Sequence, residues 1–304
     1  MLGAIVLIAI GTLLALVLVF WFIGERGRLL RGSTWRMIRQ AGMGLAQLHG
    51  YVYGRWTRQY VRFLIHRFFP SARPGARQWM SDHYHGKVLT PEQAEAIVNS
   101  ERDIPLRDLE QIIPYPRARD LVLKGPPDVA AYECACRHAR ESPCQPTQVC
   151  MVIGQPFVDF ILEHHPRASR RLSREEALEL LRAEHERGHL HSAWFKDALM
   201  DRFYAICNCC KCCCGGIEAM TKYGVAMMAA SGYVAEIDEE LCDACEACIE
   251  ICPFDAIGRQ NGGIRRDWAK CMGCGVCLDQ CPREAISLVR DEKKGIPLDV
   301  RAMV

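Results

Sequence analysis

The sequence predicts an α+β protein with three parts: an N-terminal transmembrane helix, a mainly helical, cysteine-rich middle domain and a C-terminal pseudo-symmetric domain. Three observations support this fold class: a long uncharged run at the N-terminus, helix-capping signals in the middle of the chain, and a cysteine pattern that recurs after 29 residues. The predicted boundaries are 1–24 for the anchor, 25–80 for a basic membrane-proximal segment, 81–232 for the middle domain, 233–290 for the C-terminal domain and 291–304 for a tail.

The N-terminal run from Leu2 to Ile23 contains no charged residue. As a helix it would extend for roughly 33 Å, enough to cross a hydrocarbon core of about 30 Å. No basic residue precedes the run and it ends in bulky side chains, which favours an uncleaved anchor over a signal peptide. By the positive-inside rule, the arginines that follow predict an outside N-terminus and a cytoplasmic remainder. We therefore expect a single-pass protein of the inner (cytoplasmic) membrane. The arginines are Arg26, Arg28, Arg31, Arg36 and Arg39.

A basic segment follows the predicted anchor. Between Glu25 and Asp82 the chain has eleven arginines and no acidic residue. In YVYGRWTRQYVRFLIHRFF the basic residues recur at helical spacing and the aromatic residues fall on other faces, a pattern typical of a helix that lies on an anionic bilayer surface. We expect this segment to contact lipid. The alternative is a helix packed on a partner subunit or on the protein's own core.

The chain of 304 residues carries 18 cysteines and a formal net charge of +2. So small a net charge, in a chain whose basic segment adjoins an anchor, gives no reason to expect a nucleic-acid partner. Cysteines in this number indicate either the disulfides of a secreted domain or metal and cluster ligands in a reducing compartment. The predicted cytoplasmic location and the cysteine spacing both favour ligands.

Eight of the cysteines form an internal repeat of C-x2-C-x2-C-x3-C-P. This spacing is the bacterial signature for [4Fe–4S] clusters, in which the fourth cysteine of each motif ligates the other cluster. It does not look like a zinc ribbon. The sequence therefore predicts two [4Fe–4S] clusters. We expect Cys242, Cys245, Cys248 and Cys281 to bind cluster 1, and Cys271, Cys274, Cys277 and Cys252 to bind cluster 2.

Residues from about 233 to 290 resemble the 2[4Fe–4S] dicluster, bacterial-type ferredoxin domain, since both complete motifs and their prolines are present. The resemblance implies a compact fold of two pseudo-symmetric halves, each with short strands and a short helix. It also implies one-electron transfer at low potential. In the context of the whole chain, it indicates a membrane-anchored, cysteine-rich iron–sulfur protein.

Helix-capping signals dominate the middle domain. Thr90 with Gln93, and Ser173 with Glu176, each have the spacing of a capping box. Strand signals are few. His185, His189 and His191 surround the end of the second predicted helix, where positive charge favours the helix C-terminus, and this is a commoner role than metal ligation.

Ten cysteines of the middle domain are candidate ligands of one or two further iron–sulfur clusters. Neighbouring cysteines in a chain point in different directions, so the segment CNCCKCCC could contribute to two clusters or surround one with spare thiols. The preferred interpretation is two clusters that each take ligands from both groups of cysteines. The alternatives are zinc, and thiols that are either inert or redox-exchanging. The candidates are Cys134, Cys136, Cys144 and Cys150 in one group and Cys207, Cys209, Cys210, Cys212, Cys213 and Cys214 in the other.

The stretches YPRARDLVLKGPPDVAAYECACR and ICNCC are similar to cysteine-rich domains fused to ferredoxin modules in anaerobic bacteria and archaea. That resemblance implies metal binding and nothing finer. No dinucleotide fingerprint, P-loop, haem motif or catalytic set is found.

The sequence thus predicts a polyferredoxin that relays single electrons between a cytoplasmic redox partner and a membrane-associated acceptor, as a subunit of a membrane complex. An electron-transfer role is favoured over a self-contained enzyme. The first alternative is an oxidoreductase that reduces a quinone or a disulfide at an unusually ligated cluster in the middle domain. The second is an iron–sulfur redox sensor.

Overall fold

The computed structural model describes residues 2–24, 31–42, 44–106, 121–123, 125–199 and 202–302. Arg26 and Arg28 lie outside the described residues, and so do residues 115–120 and 124 of the stretch YPRARDLVLKGPPDVAAYECACR. The N-terminal part is helical, with a π-helical turn (Leu64–Phe68) after α4. Its helices are α1 (Leu2–Gly24), α2 (Gly32–Ala41), α3 (Leu45–Arg55), α4 (Thr57–Phe63), α5 (Phe69–Ser71) and α6 (Pro74–His83).

Over the residues that the structure describes, no helix combines the length and the apolar character that crossing a membrane requires. On this finding the predicted transmembrane anchor and the predicted inner-membrane location are wrong.

A seven-stranded sheet forms the centre of the middle domain, in the order β6-β4-β5-β8-β7-β1-β9. All pairs are antiparallel except β1 with β9. The strands are β1 (Tyr84–Leu89), β4 (Val129–Tyr132), β5 (Cys150–Ile153), β6 (Ser169–Leu172), β7 (Leu190–Lys196), β8 (Arg202–Cys209) and β9 (Met228–Ala229); a separate two-stranded ribbon pairs β2 (Ile104–Leu106) with β3 (Leu121–Leu123).

The sheet contradicts the prediction of a mainly helical middle domain. Every residue of β7 is buried, and the same holds for β4. Side chains from both faces of these strands lie in apolar cores, so the polar–apolar alternation that reveals a half-buried strand is missing from the sequence. The capping signals of the helices are local and can be read from the sequence. The sequence therefore predicts more helix in this domain than the structure has.

Helices cover both faces of the sheet. On one face lie α7 (Pro91–Val98) and α10 (Arg174–Glu186), whose Ile97 and Leu181 pack in a core with Phe195 of β7. Both predicted capping boxes are confirmed at the N-termini of these helices. On the other face lie α9 (Phe157–His164) and the N-terminal helices.

The basic segment packs on the protein's own core. Tyr53, Leu64 and Phe69 are buried in the same core as Tyr204 and Trp194 of the sheet. These aromatic and aliphatic side chains face inward, and several arginines of the segment face outward. The structure thus has the alternative arrangement at these residues, and the predicted contact with lipid stays a prediction.

The C-terminal domain contains two antiparallel strand pairs. Strand β10 (Tyr233–Ile237) pairs with β13 (Ile286–Arg290), and β11 (Ile257–Gln260) pairs with β12 (Gly263–Arg266). Asn261 and Gly262 connect the second pair with φ of 52° and 82°, the left-handed values of a tight hairpin turn. The remaining helices are α8 (Ala135–His138), α11 (Gly215–Tyr223), α12 (Ala247–Ile251) and α13 (Val276–Asp279).

Candidate iron–sulfur centres

The C-terminal domain gathers its eight cysteines around two small cavities. Each cavity is lined by three cysteines of one motif and by the last cysteine of the other. The chain crosses over because Cys252 and Cys281 follow the short helices α12 and α13 and turn towards the opposite half. Cys242, Cys245, Cys248 and Cys281 line the first cavity, and Cys252, Cys271, Cys274 and Cys277 line the second.

Backbone amides donate to sulfur at equivalent places in the two halves. Ala256 N lies 3.3 Å from Cys252 Sγ, and Ala285 N lies 3.4 Å from Cys281 Sγ, 29 residues further along the chain. Such N–H donors stabilise negative charge on ligand sulfur and thereby tune the reduction potential of a cluster. The two halves therefore supply matched environments for their fourth ligands.

Six thiols of the middle domain form a closed ring on the sheet face that the N-terminal helices cover. All six line one cavity, and each thiol interacts electrostatically with the next and the last with the first. Strands β5 and β8 supply three members, Cys134 and Cys214 directly precede α8 and α11, and Cys136 lies within α8. In order around this six-thiol ring lie Cys134, Cys136, Cys214, Cys209, Cys207 and Cys150.

The other four cysteines of the middle domain form a second group of neighbouring sulfurs, which we call the four-thiol set. They are Cys144, Cys210, Cys212 and Cys213. The sulfurs of Cys210, Cys212 and Cys213 lie within 4.8 Å of one another, and Cys144 Sγ lies within 4.8 Å of Cys210 Sγ. Cys144 N also lies 3.5 Å from Cys213 Sγ. Four thiolates are the complement of one [4Fe–4S] cluster or of one structural zinc ion.

Both sets draw on both groups of cysteines. Within CNCCKCCC, Cys209 joins the six-thiol ring while Cys210 joins the four-thiol set, and Cys214 joins the ring while Cys213 does not. Neighbouring side chains diverge because Cys209 ends a strand and Cys214 precedes a helix. The two glycines that follow lie in tight surroundings: a Cβ on Gly215 would lie 2.9 Å from Ile65 Cγ1, and one on Gly216 would lie 3.0 Å from Trp194 Cη2.

The thiol pKa values differ from one member of the six-thiol ring to another. Hydrogen bonding to Cys136 and burial raise the pKa of Cys134 to about 12. Hydrogen bonds with Cys150 and Cys209 lower the pKa of Cys207 to about 7. Without a metal ion, the ring can therefore hold only a small part of the negative charge that six thiolates would carry, and metal coordination would supply the compensation.

A cavity of about 130 Å³ lies against the ring. On its other side three tyrosine hydroxyls contact one another: Tyr53 Oη lies 2.9 Å from Tyr204 Oη, and Tyr204 Oη lies 3.0 Å from Tyr84 Oη. Burial raises the pKa of all three phenols, which therefore stay protonated. Lys196 Nζ lies 4.9 Å from the centre of the Tyr84 ring, and burial lowers the pKa of this lysine to about 8.

Two arginines are close to cysteines of both the six-thiol ring and the four-thiol set. The side chain of Arg137 is fully buried, donates to Glu184 at 2.7 Å and is attracted by both Cys210 and Cys134. Arg140 donates to Cys213 O at 3.1 Å and 2.9 Å and is attracted by Cys136. This fixed positive charge suits sites that carry anionic clusters.

His189 is a candidate functional residue that the sequence reasoning discounted. Its Nε2 lies 3.7 Å from Cys144 Sγ, and its Nδ1 lies 2.7 Å from Glu184 Oε2. A carboxylate that orients an imidazole towards a metal site is a common supporting arrangement. The sequence did not reveal this role, because His189 lies near the end of a helix. Its partner Cys144 is distant in sequence, and its partner Glu184 lies on the preceding helix.

The C-terminal domain docks beside the four-thiol set. Lys211 Nζ lies 2.8 Å from Asp255 Oδ1 and 3.3 Å from Glu250 O, on either side of Cys252. At the end of α10, His185 pairs with Asp279, and Gln280 Nε2 donates to Glu186 O at 3.2 Å. Lys211 thus connects the segment of the four-thiol set to the segment of a cluster 2 cysteine.

A comparison with curated proteins finds no match to this chain. A family model of the 4Fe-4S dicluster domain matches residues 234–282, which include both cysteine motifs. Together with the two cysteine-lined cavities, this match establishes that the C-terminal part of the chain is a 4Fe-4S dicluster domain.

Proposed function

We propose that the protein is an electron-transfer protein in which the dicluster domain exchanges single electrons with a further iron–sulfur cluster in the middle domain. Cluster 1 is ligated by Cys242, Cys245, Cys248 and Cys281, and cluster 2 by Cys252, Cys271, Cys274 and Cys277. The four-thiol set binds a third cluster. An external redox protein supplies or accepts the electrons at the side of Cys245, which is exposed.

One observation supports this proposal most directly: the contact of Lys211 with Asp255 and Glu250. Lys211 lies between Cys210 and Cys212 of the four-thiol set, and its two partners lie on either side of Cys252. Two sets of thiols are thereby held next to each other across the domain interface. A short distance between centres is the structural requirement for rapid electron transfer.

The test is anaerobic purification followed by analysis of iron, acid-labile sulfide and zinc, with EPR of the reduced protein. The dicluster domain accounts for about eight irons, so at least about twelve are expected with the four-thiol set. Rapid mixing with a reduced low-potential donor should then reduce the clusters of the dicluster domain first and the middle-domain cluster afterwards. Their EPR signals should appear in that order. About eight irons with one zinc ion per chain would overturn the relay, because zinc does not change oxidation state.

A second candidate function is a reductase whose substrate binds in the middle domain. The cavity between the six-thiol ring and the hydroxyls of Tyr53, Tyr84 and Tyr204 favours it. Protonated phenols beside a redox centre could hydrogen bond to a quinone or deliver a proton to a disulfide. The reduced protein, purified alone, would then be reoxidised faster by one of these substrates, and Tyr204→Phe would slow that reaction while iron content stays unchanged.

A further inference from the structure

We propose that the six-thiol ring binds one iron–sulfur cluster through all six thiolates, and that this cluster has more than four irons. The inference rests on the proposed function, since it adds a centre to the same electron path. It differs from the expectation of ordinary cubanes in the middle domain, because a [4Fe–4S] cluster takes four thiolates and would leave two of these thiols without a metal.

The closed geometry of the ring is the first argument. All six thiols line one cavity, and each of them interacts electrostatically with two others. A cubane with two spare thiols would be expected to leave two members apart, directed to other polar partners. Beyond the ring, the described thiol contacts include Ser192 Oγ at 3.5 Å from Cys209 Sγ, and this hydroxyl is also the acceptor for Trp194 Nε1.

The second argument is the division of the ten cysteines of the middle domain into six and four, with no thiol left over. Cys210 also lines the ring's cavity, but its sulfur lies within 4.8 Å of those of Cys212 and Cys213 and of Cys144, and these four make up the four-thiol set. A four-thiol set already satisfies one cubane. The two extra thiols of the ring are therefore not needed by the neighbouring site, and they remain available to the ring's own cluster.

The third argument is the surrounding space. The ring lines a cavity of about 130 Å³ that is otherwise mainly apolar, and the hydroxyls of Tyr53, Tyr84 and Tyr204 converge on its far side. In the structure these hydroxyls hydrogen bond to one another, and rotation of one O–H towards the cavity would direct a donor at a bound group. An anionic cluster with bridging sulfides would accept such bonds, and the apolar walls would exclude water from it.

The ligand balance is simple. The cluster enters already assembled, with exchangeable ligands such as water or donor thiolates on its irons. Six S–Fe bonds form as six S–H bonds and six bonds from iron to these ligands break, and the six protons leave to solvent or on the departing ligands. No change in oxidation state is needed for binding. The release of protons favours assembly at higher pH.

The experiment uses the full chain, purified or reconstituted without oxygen, and reads iron, sulfide and the Mössbauer spectrum. The double variant Cys212→Ser/Cys213→Ser removes the four-thiol set, so that iron above the roughly eight of the dicluster domain belongs to the ring. More than about four such irons are expected. In addition, Ser substitution at each of the six ring cysteines should alter the same spectral component.

Two results would overturn the inference: a ring that holds only about four irons, or two ring cysteines whose substitution leaves the iron count and the spectrum unchanged. Preserved dicluster EPR signals in each variant exclude global unfolding, and Ser192→Ala is a control that should retain the ring's iron. Failure of the proposed relay is distinguishable, because a large cluster could be present in the ring of a protein whose dicluster domain does not pass electrons to the middle domain.

Discussion

Lys211 Nζ lies 2.8 Å from Asp255 Oδ1, in a contact that joins the cysteine-rich segment of the middle domain to the dicluster domain. Both side chains are well exposed to solvent, at 42% and 65%. The pair therefore contributes at most about 1 kcal/mol to folding, and its main effect is on orientation.

We predict that Lys211→Ala slows electron transfer from the dicluster domain to the middle domain several-fold and makes the rate less sensitive to salt, because an attractive ion pair at the interface is lost. Rapid-mixing EPR measures the rate. Lys222→Ala is the control, since that lysine pairs with Glu218 within α11. Equal rates in the wild type and in Lys211→Ala would show that the contact does not control transfer.

The sharing of ligands between the two dicluster motifs predicts a crossed pattern of cysteine variants. Cys252→Ser should perturb the same EPR signal as Cys274→Ser, although Cys252 belongs to the first motif, because both line the second cavity. Cys281→Ser should correspondingly act like Cys245→Ser. If Cys252→Ser instead changes the signal that Cys245→Ser changes, each motif would bind its own cluster.

We predict that Gly188→Ala destabilises the docked C-terminal domain more than Gly224→Ala does. Both glycines have left-handed φ, 78° and 65°, so the backbone cost of roughly 1–2 kcal/mol is matched. A Cβ on Gly188 would lie 2.3 Å from Ile251 Cδ1, whereas one on Gly224 has nothing within 4 Å.

Limited proteolysis of the full chain measures the docking. Ile251→Ala should partly rescue Gly188→Ala because it removes the overlapping atoms. Identical proteolysis of the two glycine variants would indicate that the overlap is relieved by a small shift of the isoleucine.

The buried ion pair of Arg137 and Glu184 should be important for stability. Neither side chain has any exposed surface, and Nη2 and Oε2 are 2.7 Å apart. Glu184→Gln leaves the guanidinium buried without its charged partner, at an expected cost of about 3–5 kcal/mol.

Urea unfolding monitored by circular dichroism should show this loss of stability as a lower urea concentration at the unfolding midpoint of Glu184→Gln. The matched control is Glu179→Gln on the same helix, α10, whose pair with Arg182 is exposed at 71% and 58% and contributes well under about 1 kcal/mol. A midpoint for Glu184→Gln as high as that of Glu179→Gln would contradict the prediction.

Acid should loosen the packing of α2 against α9. Burial lowers the pKa of His164 to about 4 from its ordinary value of 6.5, and His164 Nε2 lies 2.9 Å from Thr34 Oγ1. A histidine with a lowered pKa in the folded state stabilises the fold fully above pH 6.5, and this contribution is lost as the pH falls towards 4.

Hydrogen exchange in residues 31–42, compared at pH 7.5 and pH 5, measures this opening after correction for the intrinsic pH dependence of exchange. Protection should fall at pH 5 in the wild type and fall less in His164→Gln, which cannot titrate. An unchanged pH dependence in the variant would assign the loss to other groups.

The dicluster domain was readable from sequence because its information is local. Two complete C-x2-C-x2-C-x3-C-P motifs, each within about a dozen residues, specify ligand type, spacing and the crossing of the fourth ligand. The capping boxes at Thr90 and Ser173 were equally local, since each involves atoms three residues apart.

The middle domain depended on contacts between residues that are distant along the chain. Strand β7 is buried on both faces, so its sequence carries no alternation from which a strand could be inferred. The division of the ten cysteines into a ring of six and a set of four needs β5 beside β8, and α8 beside the segment that precedes α11. The local sequence shows which thiols are present, but the pairing of strands brings Cys150 close to Cys207. That proximity depends on where two strands meet that are separated by more than fifty residues of chain.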